Sequence, residues 1–151
     1  MADNTAGNAR QERLSTLASA SSAELIELWD RAGIDSACEM VRGPEIGLVA
    51  LRGRIGGGGA LFNFGEATVT RATVRLENGA VGHSVALGRD RRKAKLIAIL
   101  DALAQDPDME SKIDAEIVGP LKESLVVRDK KRRAETAATK VDFFTMVRGE
   151  D

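Results

Sequence analysis

The apolar positions of this chain fall into two periods. Leu14, Leu17 and Ala18 recur at helical spacing, and so do Leu25, Leu28 and Trp29. The second group predicts a helix over 22–32. Ser21 or Ser22 is placed to cap it, Glu24 and Glu27 suit its first turns, and Gly33 ends it. Trp29 reads as an anchor of the core. Alternation then takes over. Ala37 to Arg42 reads as a strand, Gly43-Pro44-Glu45 as a turn and Ile46 to Ile55 as the next strand. In that strand Val49, Leu51 and Ile55 share one face, while Leu48, Ala50, Arg52 and Arg54 share the other. A short strand near Leu61 to Phe64 precedes a longer one, Thr68 to Glu77.

Asn78-Gly79 is the strongest hairpin signal in the chain. Read as a two-residue loop, it sets Leu76 opposite Val81, Val74 opposite His83, Ala72 opposite Val85 and Thr70 opposite Leu87. His83 then faces the core. Arg75, Thr73 and Arg71 stand on the other face, across from Gly82, Ser84 and Ala86. Nothing bulky would fill the space beside the two guanidiniums.

Helical period returns over Asp90 to Gln105, with Leu96, Ile97, Leu100 and Leu103 as the buried stripe, and Asp106-Pro107 stops it. A helical segment covers Met109 to Val118. Gly119-Pro120 interrupts it, and a longer helix with a basic middle, RDKKRR, runs to about Thr139. That basic run reads as a solvated face. In the closing stretch, Val141, Phe143, Thr145 and Val147 alternate with Asp142, Phe144, Met146 and Arg148. Both of its faces are largely apolar, as in a strand buried on two sides or docked on a partner. Helices, antiparallel strands, then helices predict an α+β fold, a mostly antiparallel sheet with N-terminal and C-terminal helices packed on it.

Composition narrows the chemistry. The chain has 151 residues, enough for a single domain over 1–151, with about 1–9 as a disordered lead. Aromatics make up 3% and tyrosine is absent, which argues against a base-stacking platform. With 22 basic and 23 acidic residues there is no global field for nucleic acid. One Cys and one His cannot form a disulfide or a soft-metal site within the chain, so no metal and no cofactor is expected. The start lacks the apolar core of a signal peptide, and no apolar run approaches the roughly 18 residues of a membrane span. A cytoplasmic location, with no membrane or nucleic-acid partner, is the expectation.

Three features can bind anions. The first is RIGGGG: Arg54, Ile55, Gly56, Gly57, Gly58 and Gly59. No Gly-Lys-Ser/Thr follows it and no helix opens behind it, so it is neither a P-loop nor a dinucleotide fingerprint. Backbone N–H groups in such a run can still approach an anion closely, and ordering it is costly, so it is a flexible turn or a contact loop ordered by a ligand or partner. The second is the pair Arg71 and Arg75, echoed by Arg52 and Arg54, because guanidinium forks bind phosphate bidentately. The third is GRDRRKAK, Gly88 to Lys95, where Arg89 and the capping residue Asp90 open a helix. The bland alternative for each is a solvated turn or face.

Taken together, GLVALRGRIGGGG, FNFGEATVTRATVRLENGAVGHSVALGRDRRKA and the tail VDFFTMVRG resemble the PhnG family, subunits of the bacterial phosphonate carbon–phosphorus lyase system. The likeness runs from the helix around Leu17 to Gly149. It implies a subunit that joins PhnI-like, PhnH-like and PhnJ-like subunits in a soluble complex, with a PhnL-like protein acting alongside. In the first committed step of that system the phosphonate displaces adenine from C1′ of ATP, leaving a ribose phosphonate with a 5′-triphosphate. ATP would thus be a substrate of the complex rather than a cofactor of this chain. The resemblance places the nucleosidase chemistry in the PhnI-like subunit and the radical step in the PhnJ-like one. It assigns no catalytic residue here. The glycine run departs from the family pattern, which often varies one of these glycines. The alternative to a synthase subunit is a non-enzymatic anion-binding or scaffold domain.

Overall fold

A computed structural model describes residues 3–55 and 58–139. Helix α1 spans Asp3–Ser19 and α2 spans Ser22–Ala32. The expected disordered lead is therefore helical from Asp3. Side chains further along α1 tie it to the body: Arg10 to Asp101, and Arg13 to Glu110 and Asp114. The ends of α2 follow the sequence reading. The Ser21 hydroxyl accepts the Glu24 N–H at 3.3 Å, and Gly33 takes the left-handed conformation at φ 58°.

Three strands form an antiparallel sheet in the order β1-β2-β3: β1 Cys38–Arg54, β2 Leu61–Leu76 and β3 Val81–Leu87. The two expected segments on either side of Gly43-Pro44 are one strand. Arg42 pairs with Thr73 and Glu45 with Arg71, so the Gly-Pro step is absorbed as a bulge with Gly43 at φ 71° rather than spent on a turn. The segments 61–64 and 68–77 likewise fuse into β2, with a second irregularity opposite Leu51 and Arg52.

The β2–β3 register differs from expectation by one residue. Arg75 pairs with Val81, Thr73 with His83 and Arg71 with Val85, whereas Gly82, Ser84 and Ala86 pair with the inward row of Val74, Ala72 and Thr70. The loop has three residues, Glu77 to Gly79. Leu76 N–H donates to Ala80 O and Gly79 N–H to Leu76 O, both at 2.9 Å, with Gly79 at φ 86°. Asn-Gly serves a turn closed by a left-handed glycine as readily as a two-residue loop. A slip of one residue exchanges every side chain between faces. His83 is therefore exposed on the outer face, not in the core, and the small residues face inward.

That exchange explains how the next helix docks. Helix α3, Arg91–Leu103, lays Ala94, Ala98 and Ala102 against Ala72 of β2 and Gly82 and Ser84 of β3. A Cβ on Gly82 would lie 2.0 Å from Ala98 O, so only glycine permits this approach. Ser84 Oγ donates to Ala94 O at 2.7 Å. Val74, Leu76 and Ile99 fill the rest of this layer.

A second core joins the helices, with Leu17, Leu25, Leu100, Ile113, Ile117 and Leu121 fully buried. Each such side chain contributes about 1.5–3 kcal/mol. Trp29 touches both cores, as an anchor would. Asp106 does not simply stop a helix: it caps α4, Pro107–Ile113, with Pro107 in the first turn. Nor does Gly119-Pro120 interrupt. A π-helical turn, Asp114–Val118, sends Gly119 N–H to Asp114 O, and α5 continues as Gly119–Ala138. Proline has no N–H to donate and crowds the preceding turn, and the wider turn accommodates both. The closing segment, Val141 to Arg148, lies outside the described residues.

Candidate functional site

The three candidate anion-binding features lie on different elements: the end of β1, the outer face of β2 and the start of α3. Arg54 ends β1, and its Nη1 donates to Gly59 O at 2.8 Å. Gly59 N–H donates to Ile55 O at 3.3 Å. Among the described residues of this loop, then, one N–H and one guanidinium serve the loop itself. Gly58 is exposed. Gly56 and Gly57 lie outside the described residues. Nine strand steps run from Glu45 to Arg54, about 30 Å at strand rise, so Arg54 and Gly59 do not share a pocket with Arg71.

Arg71 and Arg75 stand on the outer face of the sheet, as alternation predicts. Their neighbours are not the small residues expected but Val85 and Val81 on β3, because of the register. Arg75 is exposed, between Glu39 and Val81. Arg71 is the more confined. Its guanidinium lies over Gly47, where a Cβ would stand 3.1 Å from Nη2. Glu45 Oε1 lies 2.8 Å from Arg42 Nη2 and 3.3 Å from Arg71 Nη2. These are ion pairs by distance, yet that oxygen meets neither guanidinium at hydrogen-bond geometry, and the buried Arg71 Nε has no acceptor. A concavity of about 190 Å³ opens here, lined by Arg42, Glu45, Arg71, Thr73, His83 and Val85. His83 Nδ1 lies 3.1 Å from Thr73 Oγ1. The concavity thus holds two guanidiniums and one carboxylate, with one buried guanidinium N–H left unused.

At the third feature, Arg89 is exposed beside the rim of the sheet. Asp90 is turned inward. Its Oδ1 accepts Lys93 N–H at 2.8 Å and its other oxygen accepts the Ser22 hydroxyl. These contacts, the Lys93 N–H foremost, hold its carboxyl below the usual range. The helix start thus already carries an anion of its own. Lys93 is buried and donates to Ala18 O at 2.7 Å and Ala20 O at 2.6 Å, closing the C-terminal end of α1. Burial lowers its pKa, and the Asp90 charge partly offsets this. One of the five basic residues of GRDRRKAK is therefore structural.

Two polar clusters had no counterpart in the sequence reading. Asp101, 2% exposed, accepts Arg10 Nε at 2.8 Å and Nη2 at 2.7 Å, and also His83 N–H at 2.8 Å. One carboxylate thus fastens α1 and the edge strand to α3. The bond to Asp101 raises the Arg10 pKa. Arg13 is buried, and Asp114 followed by Glu110 pushes its pKa further up. The available signal was an aspartate inside the apolar run LIAILDALA. Among the described residues, no group of three or more His, Cys, Asp or Glu could hold a metal ion, and no helix is long and apolar enough to cross a membrane.

A family model described as phosphonate metabolism protein PhnG matches residues 8–149. The chain belongs to the PhnG family. Among its relatives is the alpha-D-ribose 1-methylphosphonate 5-triphosphate synthase subunit PhnG of Rhizobium meliloti (strain 1021). The two are 50% identical over 146 residues, which span 94% of this chain and 90% of that protein. The match covers the β1–β2 pair, the outer arginines and the α3 start alike. It therefore concerns the whole PhnG domain rather than one motif.

Proposed function

We propose that this chain is the PhnG-type subunit of a multi-subunit synthase. That enzyme transfers the ribose 5-triphosphate moiety of ATP to an alkylphosphonate. A phosphonate oxygen bonds to C1′, the C1′–N9 bond breaks, and adenine leaves with the bonding pair and takes up a proton. The observation that carries this reading is the near full-length match to a synthase subunit at 50% identity. ATP is a substrate of the assembly, in the cytoplasm, and PhnI-like, PhnH-like and PhnJ-like subunits are its partners, with a PhnL-like protein acting in the same step. The chain has no activity of its own, and the nucleosidase chemistry belongs to the PhnI-like subunit. A free-standing anion-binding or scaffold domain is not favoured by a family match that spans the chain.

A second reading has a specific support. The acceptor-free Arg71 Nε, beside Arg42, suits a chain that lends a guanidinium to the triphosphate or phosphonate in a site shared with another subunit. The test is the co-purified complex carrying Arg71→Ala or Arg75→Ala, assayed for adenine release. If Arg71 reaches the shared site, its loss leaves assembly intact and lowers turnover by about 100-fold or more. Lost assembly makes the outer face an interface, and full activity in both variants removes the pair from the site. Phosphonate-dependent adenine release by the chain alone would overturn the main reading.

A further inference from the structure

The two long strands outrun their sheet. The last residue of β3, Leu87, pairs with Val69, and Gly88 N–H donates to Thr68 O, so Leu61 to Ala67 of β2 have a ladder on one side only. In the sheet order β1 is an edge strand along its whole length. Leu48 to Arg54 of β1 and Leu61 to Ala67 of β2 therefore form a two-stranded arm beyond the end of β3. Its apolar side chains lie in the open: Leu48 is 59% exposed, Phe64 58% and Ile55 76%. They occupy both faces. Leu48 lies in the row of Ile46, opposite Thr68 and Thr70, whereas Leu51 lies in the row of Glu45, opposite Gly65 and Arg71. A two-stranded ribbon has no interior in which to hide either row.

The arm is nevertheless shaped. Phe64 covers Gly53, where a Cβ would lie 2.9 Å from its ring. The rings of Phe62 and Phe64 stand 6.1 Å apart between centroids at 58°. Arg54 ties back to Gly59 O across the tip. A preorganised apolar projection loses little freedom on docking. Its charge selects the occupant. The arm carries Arg52 and Arg54 toward its tip and a single acid, Glu66, toward its base. Pairing two such arms tip to tip would bring arginines against arginines, which disfavours a second copy.

We propose that this arm inserts into an apolar cleft of a non-identical subunit of the same synthase, a cleft that encloses both faces of the ribbon and presents carboxylates to Arg52 and Arg54. The inference rests on the subunit reading above and adds to it the element through which the chain is held. Apolar insertion supplies the affinity, and the arginines set depth and orientation.

The test co-expresses the full chain with the other subunits of the synthase, with a photo-crosslinking benzoylphenylalanine replacing Leu48 or Phe64. Irradiation of the purified complex is expected to join both positions to a non-identical subunit, at peptides with Asp or Glu close by in its structure. In parallel, Leu48→Ser with Leu61→Ser should lower recovery of the complex by about tenfold or more, while the isolated variant melts as the unaltered chain does. Adducts solely between two copies of this chain would overturn the proposal, as would undiminished assembly of the double variant. Those results, with adenine release still present in the unaltered complex, would leave the functional reading standing. An unaltered chain that enters no complex with those subunits would overturn both.

Discussion

The same two strands live under different rules at their two ends. Near the base, β1 and β2 are covered on one face by α3, and Val74, Leu76 and Ala72 are buried there. Toward the tip the apolar residues continue, yet Leu48, Ile55 and Phe64 remain exposed. Nothing in the alternation marks the change. What marks it is the partner: β3 ends at Leu87, and α3 needs small residues beneath it, which Ala72, Gly82 and Ser84 supply near the base. An apolar row therefore reports that a surface is to be covered, and the covering element decides whether the chain does so itself.

The sharpest way to break this contrast is at Gly82. In Gly82→Val the new Cβ would press on the Ala98 carbonyl and on Ala102, both part of the helix and unable to swing away. Overpacking at a backbone contact should cost about 3 kcal/mol. The midpoint of urea unfolding, with unchanged slope, reads this directly. A variant as stable as the parent would mean that α3 does not rest on β3 as described.

The sequence was legible wherever a local rule acts alone. The caps of α2 and α3 are set by Ser21, Gly33 and Asp90, and each residue does there what its side chain favours. The inward row of β2 and the outward placing of Arg71 and Arg75 follow from alternation within one strand. Legibility failed where two rules compete for the same residues. Asn78-Gly79 fits two loop lengths, and the difference moved His83 from the core to the surface and changed what stands beside the arginines. Gly43-Pro44 and Gly119-Pro120 read as breaks, but a bulge and a π-turn let ladder and helix pass through them. The Arg71 concavity also needed β1, because Arg42 and Glu45 reach it only after the bulge restores their register. Ion pairs such as Arg10 with Asp101 join residues too far apart in sequence for spacing to predict.

A smaller effect tests whether the α3 start is a structural cap or an open anion site. Asp90→Ala removes the bonds to Lys93 N–H and to Ser22 and should cost about 1 kcal/mol. The pH dependence sharpens the point. The folded carboxyl titrates below the ordinary aspartate range. Its contribution is thus complete above the unfolded value and is lost as pH falls through the lower, folded one. Asp90→Asn caps nearly as well but does not titrate there, so its stability should vary less across that acid window. If parent and Asn variant lose stability in parallel on acidification, Asp90 is not the group that holds this junction.

The smallest expected effect is at the arm, and its smallness is the point. Leu48 is a large apolar residue in a regular strand, of the kind whose truncation in a core costs about 2–5 kcal/mol. Here 59% of it meets solvent already. Little apolar area is returned to water by Leu48→Ala, so the isolated chain should change by no more than about 0.5 kcal/mol. Leu76, 6% exposed at the base of the neighbouring strand, is the matched control, and its truncation belongs in the core range. Equal losses at the two leucines would mean that the tip is packed within the single chain, and the distinction between the covered base and the waiting arm would disappear. A wide gap between them assigns the selective value of the distal leucine to something outside this polypeptide's own stability.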